Sequence, residues 1–112
     1  MNAFTVELTE QAEIDIDRIY LRYNRISPDQ ADRWRVGFTK TAASLSSFPK
    51  RCSVTRDSDR FQGLAVRQLL FGNYRILFYV IEPPDEESEG SVRILRVLHG
   101  AQLLDSSDQD EQ

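Results

Sequence analysis

The chain has 112 residues, with 14 Lys+Arg against 18 Asp+Glu and a formal net charge of −4. That is one ordinary domain, able to bury a core without disulfide or metal staples, and 40 % apolar with 29 % charged residues suits a soluble globular protein. No apolar run approaches the roughly 20 residues of a membrane span, the first residues lack the basic and apolar regions of an export signal, and the single cysteine, Cys52, excludes an internal disulfide and a Cys-cluster metal site and fits a reducing cytoplasm.

Phe4, Val6 and Leu8 alternate with Thr5 and Glu7, which predicts a short amphipathic strand. Thr9 then caps a helix whose first turn carries Glu10 and Glu13, favourable at the positive end of the helix dipole. Ala12, Ile16, Ile19, Tyr20 and Tyr23 form one apolar stripe, so the helix is expected over about Glu10 to Tyr23. A second helix starts at Ser27-Pro28-Asp29-Gln30, where Ser27 is the N-cap, Pro28 suits the first helical position and Gln30 completes a capping box. Its stripe runs Ala31, Trp34, Phe38, Ala42, Leu45, Phe48, and Phe48-Pro49 closes it, because a residue before proline is pushed out of helical geometry. About four residues between the helices predict an antiparallel helical hairpin.

Lys50 to Gly63 has no regular period and reads as a basic loop. Leu64 to Phe71 is rich in strand formers, Gly72-Asn73 is a hairpin-turn dipeptide, and Tyr74 to Ile81 is a nearly continuous apolar run broken by Arg75. Continuous apolarity places that strand centrally, with both faces covered. Pro83-Pro84 ends it, and Ser91 to His99 forms the last strand. The fold class is α+β: an N-terminal strand, a two-helix hairpin, then a three-stranded antiparallel meander in one small sheet, β-α-α-β-β-β. Residues 1–104 are expected to form the single domain and 105–112 an acidic flexible tail.

The charge is unevenly distributed. Glu82 to Gly90 holds five acids and no base, and Leu103 to Gln112 four more acids and no base. Arg33 to Ile81 holds nine bases against Asp57 and Asp59. The middle of the chain is therefore strongly basic, which leaves anionic partners open that the value of −4 at first seems to exclude.

Side-chain alternation puts Arg67 on a face with Leu69 and Phe71, Arg75 with Leu77 and Tyr79, and His99 with Val97. If pairing brings Arg67, Arg75 and His99 to one side, they form a cationic cleft opposite the helices. Arginine forks match phosphate oxygens, and a histidine moves a proton near neutral pH. The plainer alternative is that each arginine is paired or snorkelling and the histidine is structural. Trp34 belongs to the core, and Cys52 beside Arg51 is either a reactive thiol or, the plainer reading, a bland loop thiol. No Gly-rich phosphate loop, metal-ligand spacing or G-x-S-x-G occurs.

Two stretches carry a resemblance. Leu8-Thr9-Glu10-Gln11-Ala12-Glu13-Ile14-Asp15-Ile16 resembles the "L-T-x-x-A-x-x-D-I" opening of the RelE/ParE toxin superfamily. Val66-Arg67-Gln68-Leu69, Gly72-Asn73-Tyr74-Arg75-Ile76-Leu77-Phe78 and Ile94-Leu95-Arg96-Val97-Leu98-His99-Gly100-Ala101 resemble its C-terminal signature. Ser44-Leu45 with Phe48-Pro49 also fits the end of the family's second helix, so the likeness spans about residues 4 to 104.

The resemblance implies the toxin of a type II toxin–antitoxin, or plasmid stabilisation, system, needing no cofactor or metal. It implies a cognate antitoxin as partner in a toxin–antitoxin hetero-oligomer, no membrane, and growth inhibition through one of two targets. ParE-like members inhibit DNA gyrase by binding; RelE-like members cleave mRNA on the ribosome. In the second case Arg75 and His99 match nuclease positions, with Arg67 as a second phosphate ligand. Gly100 stands where nucleases often carry an aromatic, and only Lys40 and Lys50 are lysines, which favours the gyrase-binding form. A member that merely pairs with its antitoxin is the third reading. Arg51, Arg56, Arg60, Arg67, Arg75 and Arg96 are the residues expected to meet antitoxin or target.

Overall fold

A computed structural model describes residues 4–100. Its elements are β1 (Phe4–Leu8), α1 (Glu10–Ile26), α2 (Pro28–Ala43), β2 (Arg67–Phe71), β3 (Tyr74–Ile81) and β4 (Gly90–His99), with short 3-10 turns at Ser44–Ser46, Pro49–Arg51 and Arg56–Phe61. The expected α+β order is present. The expected tail lies outside the described residues. No helix among the described residues is long and apolar enough to cross a membrane.

Local chemistry sets the helix ends. Thr9 Oγ1 accepts from the Ala12 N–H at 3.2 Å and donates to the Ile94 carbonyl at 2.9 Å, so one residue caps α1 and ties it to β4. Ser27 alone joins the helices. Its N–H caps the Tyr23 carbonyl at 2.9 Å, and its Oγ accepts from the Gln30 N–H at 3.3 Å. Helix α1 thus runs three residues past the expected Tyr23, to Ile26, because the link needs only Ser27. Helix α2 stops at Ala43 rather than at Phe48, and the stripe continues through a 3-10 turn only as far as Leu45. Strand β2 begins at Arg67 rather than at Leu64.

The sheet order is β1-β4-β3-β2. Strands β2, β3 and β4 form the antiparallel meander, and β1 adds to β4 in parallel, Phe4 opposite Gly90 and Leu8 opposite Ile94. The sheet is therefore mixed. The parallel pair follows from the connection: β1 leads into the helical hairpin, which crosses one face before the chain returns.

One face packs against the helices. Ala12, Ile16 and Ile19 of α1, Trp34, Phe38 and Ala42 of α2, and Tyr74, Ile76, Phe78, Val92, Ile94 and Val97 of the sheet form the main core. Trp34 stacks on Phe38 with ring centroids 5.4 Å apart and meets Tyr74 edge-on at 5.7 Å. Val66, Leu77 and Leu98 form a smaller cluster on the other face, covered by Phe61 and Leu95. Tyr74 to Phe78 of β3 are thus buried on both sides, as continuous apolarity requires, while the strand opens to an exposed Ile81 at its end. Each fully buried large side chain such as Phe78 or Ile94 contributes about 2 kcal/mol of transfer free energy.

A bulge at Leu77/Phe78 shifts the β3–β4 register. Because of it, Ile94 and Val97, an odd number of residues apart, both reach the helix-side core. At the same bulge Asp15 of α1 accepts from Arg96 Nε at 2.8 Å, Arg96 Nη2 at 3.1 Å and the Val97 N–H at 2.9 Å.

Candidate functional site

The register decides which of the predicted residues meet. Arg67 lies opposite Phe78 and Leu69 opposite Ile76, so both sit on the helix-side face. His99 lies opposite Tyr74, again on that face, whereas Arg75 lies opposite Leu70 and Leu98 on the other. Arg67, Arg75 and His99 therefore do not share one side. The face opposite the helices is not an open cationic cleft, because Val66, Leu77, Leu98 and Phe61 fill much of it.

Arg75 and His99 nevertheless border one concavity of about 460 Å³ at the end of the sheet, with Gln68, Leu70, Asn73 and Tyr74 in its wall. Arg75 is 7 % exposed, and its Nε donates to Gln68 Oε1 at 3.0 Å. The exposed His99 ring meets the Tyr74 ring edge-on at 5.7 Å. Burial, with a neighbouring Tyr23 next in weight, pushes the Tyr74 phenol up from its ordinary value. The tight turn at Gly72 has φ +59°, and the Gly100 N–H donates to the Asn73 carbonyl at 2.6 Å, which closes the rim. Gln68, Asn73 and Tyr74 lie within the C-terminal signature, but the sequence assigns them no site role. Only their placement around the hairpin turn marks them.

The remaining arginines divide by role. Arg67 Nη1 donates to the Cys52 carbonyl at 2.6 Å and the Lys50 carbonyl at 3.3 Å, so it fastens the basic loop to β2. Arg96 is committed to Asp15. Arg51 Nη1 donates to the Ser47 carbonyl at 2.7 Å. Arg56 and Arg60 are exposed on the 3-10 turn at Arg56–Phe61, and Lys50, exposed on the turn at Pro49–Arg51, pairs with Glu82. The expected binding set thus comprises three structural arginines (Arg67, Arg75, Arg96), the exposed Arg56 and Arg60, and Arg51, which is exposed but braced against backbone. Among the described residues no group of three or more His, Cys, Asp or Glu is placed to hold a metal ion.

Residues 6–104 match the family described as the ParE toxin of type II toxin–antitoxin systems, parDE. The fold resembles the chromosomal ParDE toxin–antitoxin system of P. aeruginosa, with TM-score 0.63, 17 % identity, and coverage of 88 % of this chain and 98 % of that one. It also resembles the RelBE2 toxin–antitoxin complex of Mycobacterium tuberculosis, with TM-score 0.53, 29 % identity, and coverage of 91 % and 97 %. No relative is found among curated proteins.

Proposed function

This chain belongs to the ParE toxin family of type II toxin–antitoxin systems, and we propose that it inhibits growth by binding DNA gyrase and is neutralised by a cognate antitoxin seated on its basic loop. The observation that carries the target is the separation of Arg67 and Arg75. They lie on opposite faces and three positions apart along the sheet, about 10 Å at the usual strand rise. Arg67 is also spent on two loop carbonyls. Two such arginines do not converge on one phosphate, and Gly100 offers no ring for a base to stack on. A protein target needs neither feature.

One observation favours an mRNA endoribonuclease instead. Arg75 and His99 border the same concavity, where an arginine can hold a phosphate and a histidine can move the 2′-hydroxyl proton. Expression of the toxin alone separates the two readings. The expected result is arrested growth with double-strand DNA breaks and intact transcripts, retained in Arg75→Ala and His99→Ala. Transcript cleavage that disappears in either variant overturns gyrase binding in favour of the nuclease. The antitoxin partner is tested by co-purification with the product of the reading frame adjacent to this gene.

A further inference from the structure

Phe48 has φ 46° and ψ 55°, in the left-handed region. A bulky residue rarely adopts that conformation, and the following proline disfavours helical geometry of any kind. Phe48 is 70 % exposed, although its spacing from Phe38, Ala42 and Leu45 would carry it onto the buried stripe. The turn that presents it is well built. Pro49 is fully buried behind it. The Phe48 carbonyl accepts from the Arg51 N–H at 3.1 Å and from Arg51 Nη1 at 3.1 Å, and Arg51 Nη2 donates to Ser44 Oγ at 3.2 Å.

Nothing in the fold requires a phenylalanine here. Glycine would adopt this backbone without strain, and the core would lose no buried ring. A strained backbone held by several hydrogen bonds to expose a large apolar group points to contact outside the chain. The surroundings indicate what kind of contact. Lys50, Arg51, Arg56 and Arg60 are exposed in the same run, Val54 is a second exposed apolar side chain, and Asp57 and Asp59 are the only acids between Arg33 and Ile81. An exposed ring followed along the chain by exposed bases complements an apolar slot bordered by carboxylates.

We infer that Phe48 is the anchor residue for an acidic segment of the antitoxin, its ring filling an apolar slot while Arg56 and Arg60 meet the flanking carboxylates. The inference rests on the reading that the antitoxin seats on the basic loop. The test uses the full chain and the purified product of the adjacent reading frame, with affinity from titration calorimetry and stability from thermal unfolding. Phe48→Gly is expected to melt no lower than the parent yet bind about tenfold or more weakly. Phe48→Tyr keeps the ring and binds within about threefold of the parent, while Arg56→Glu with Arg60→Glu weakens binding and flattens its salt dependence. Parent-like affinity in Phe48→Gly, or a clear drop in its melting temperature, overturns the anchor. In that case weakened binding by the charge-reversed variant leaves the basic seat standing. Parent-like binding by both variants, or no binding of the parent, overturns the seat itself.

Discussion

Cys52 illustrates how a side chain's burial sets its chemistry. Flanked by Arg51 in sequence and bonded through its carbonyl to Arg67, it has the neighbours of a reactive thiolate. Yet it is buried, and desolvation pushes the thiol up from its ordinary value by more than Arg51 and Arg67 pull it down. Thiol reagents are therefore expected to modify Cys52 slowly in the folded chain and rapidly in denaturant, measured by the rate of iodoacetamide labelling. Tyr74 is raised in the same direction by burial. For both groups the neutral form is favoured in the fold, so the stability they add is complete below their unfolded pKa values and is lost as pH rises through the folded ones. The urea midpoint should fall as pH rises past the ordinary cysteine and tyrosine values, and an unchanged midpoint would contradict this. The inertness of Cys52 was legible as the commoner fate of a single loop cysteine. The outward turn of Phe48 was not, because helical periodicity reports spacing and says nothing about a backbone that leaves the helix at Ala43.

Between elements, the decisive contact is Asp15 of α1 against Arg96 and the Val97 N–H of β4. Asp15 is 5 % exposed, and removing its carboxylate deletes three hydrogen bonds at once, from Arg96 Nε, Arg96 Nη2 and the Val97 N–H. Asp15→Ala is expected to cost about 3 kcal/mol or more by chemical denaturation, and Asp15→Leu with Arg96→Met to recover much of that loss. A double variant no more stable than Asp15→Ala would show that the ion pair itself stabilises the fold. A tighter junction lies where β1, β3 and β4 meet. A Cβ on Gly90 would stand 2.6 Å from the Ile81 carbonyl and 2.7 Å from the Phe4 ring. Gly90→Ala should therefore destabilise by about 1–3 kcal/mol, read as a lowered urea midpoint. Asp15 stood out in the sequence only as the acid of the L-T-x-x-A-x-x-D-I opening, with nothing to name its partner. That partner is 81 residues away and reaches it only because a bulge resets the register.

Across the whole molecule, the charge of −4 describes no single surface. The acidic loop is fastened at both ends, Glu82 to Lys50 and Glu89 accepting from Thr5 Oγ1 at 2.8 Å, while Asp85 is occupied with Ser88 and the Glu87 N–H. Arg56 and Arg60, exposed on the basic loop, remain available to a partner. Antitoxin affinity should accordingly weaken as salt rises from about 50 to 500 mM, and a salt-independent affinity would argue against the basic loop as its seat.

Strand and helix order, the caps at Thr9 and Ser27, the central place of Tyr74–Ile81 and the kinship with ParE toxins could all be read from the sequence, because each depends on local propensity, short-range periodicity or motif spacing. Only the tertiary structure decided which charged side chains meet. Alternation assigns a face within one strand, but the register between strands depends on the packing of distant residues. Pairing at the hairpin and a bulge at Leu77/Phe78 placed Arg67 and Arg75 on opposite faces, brought His99 beside Arg75 at one rim, and gave Arg96 to Asp15.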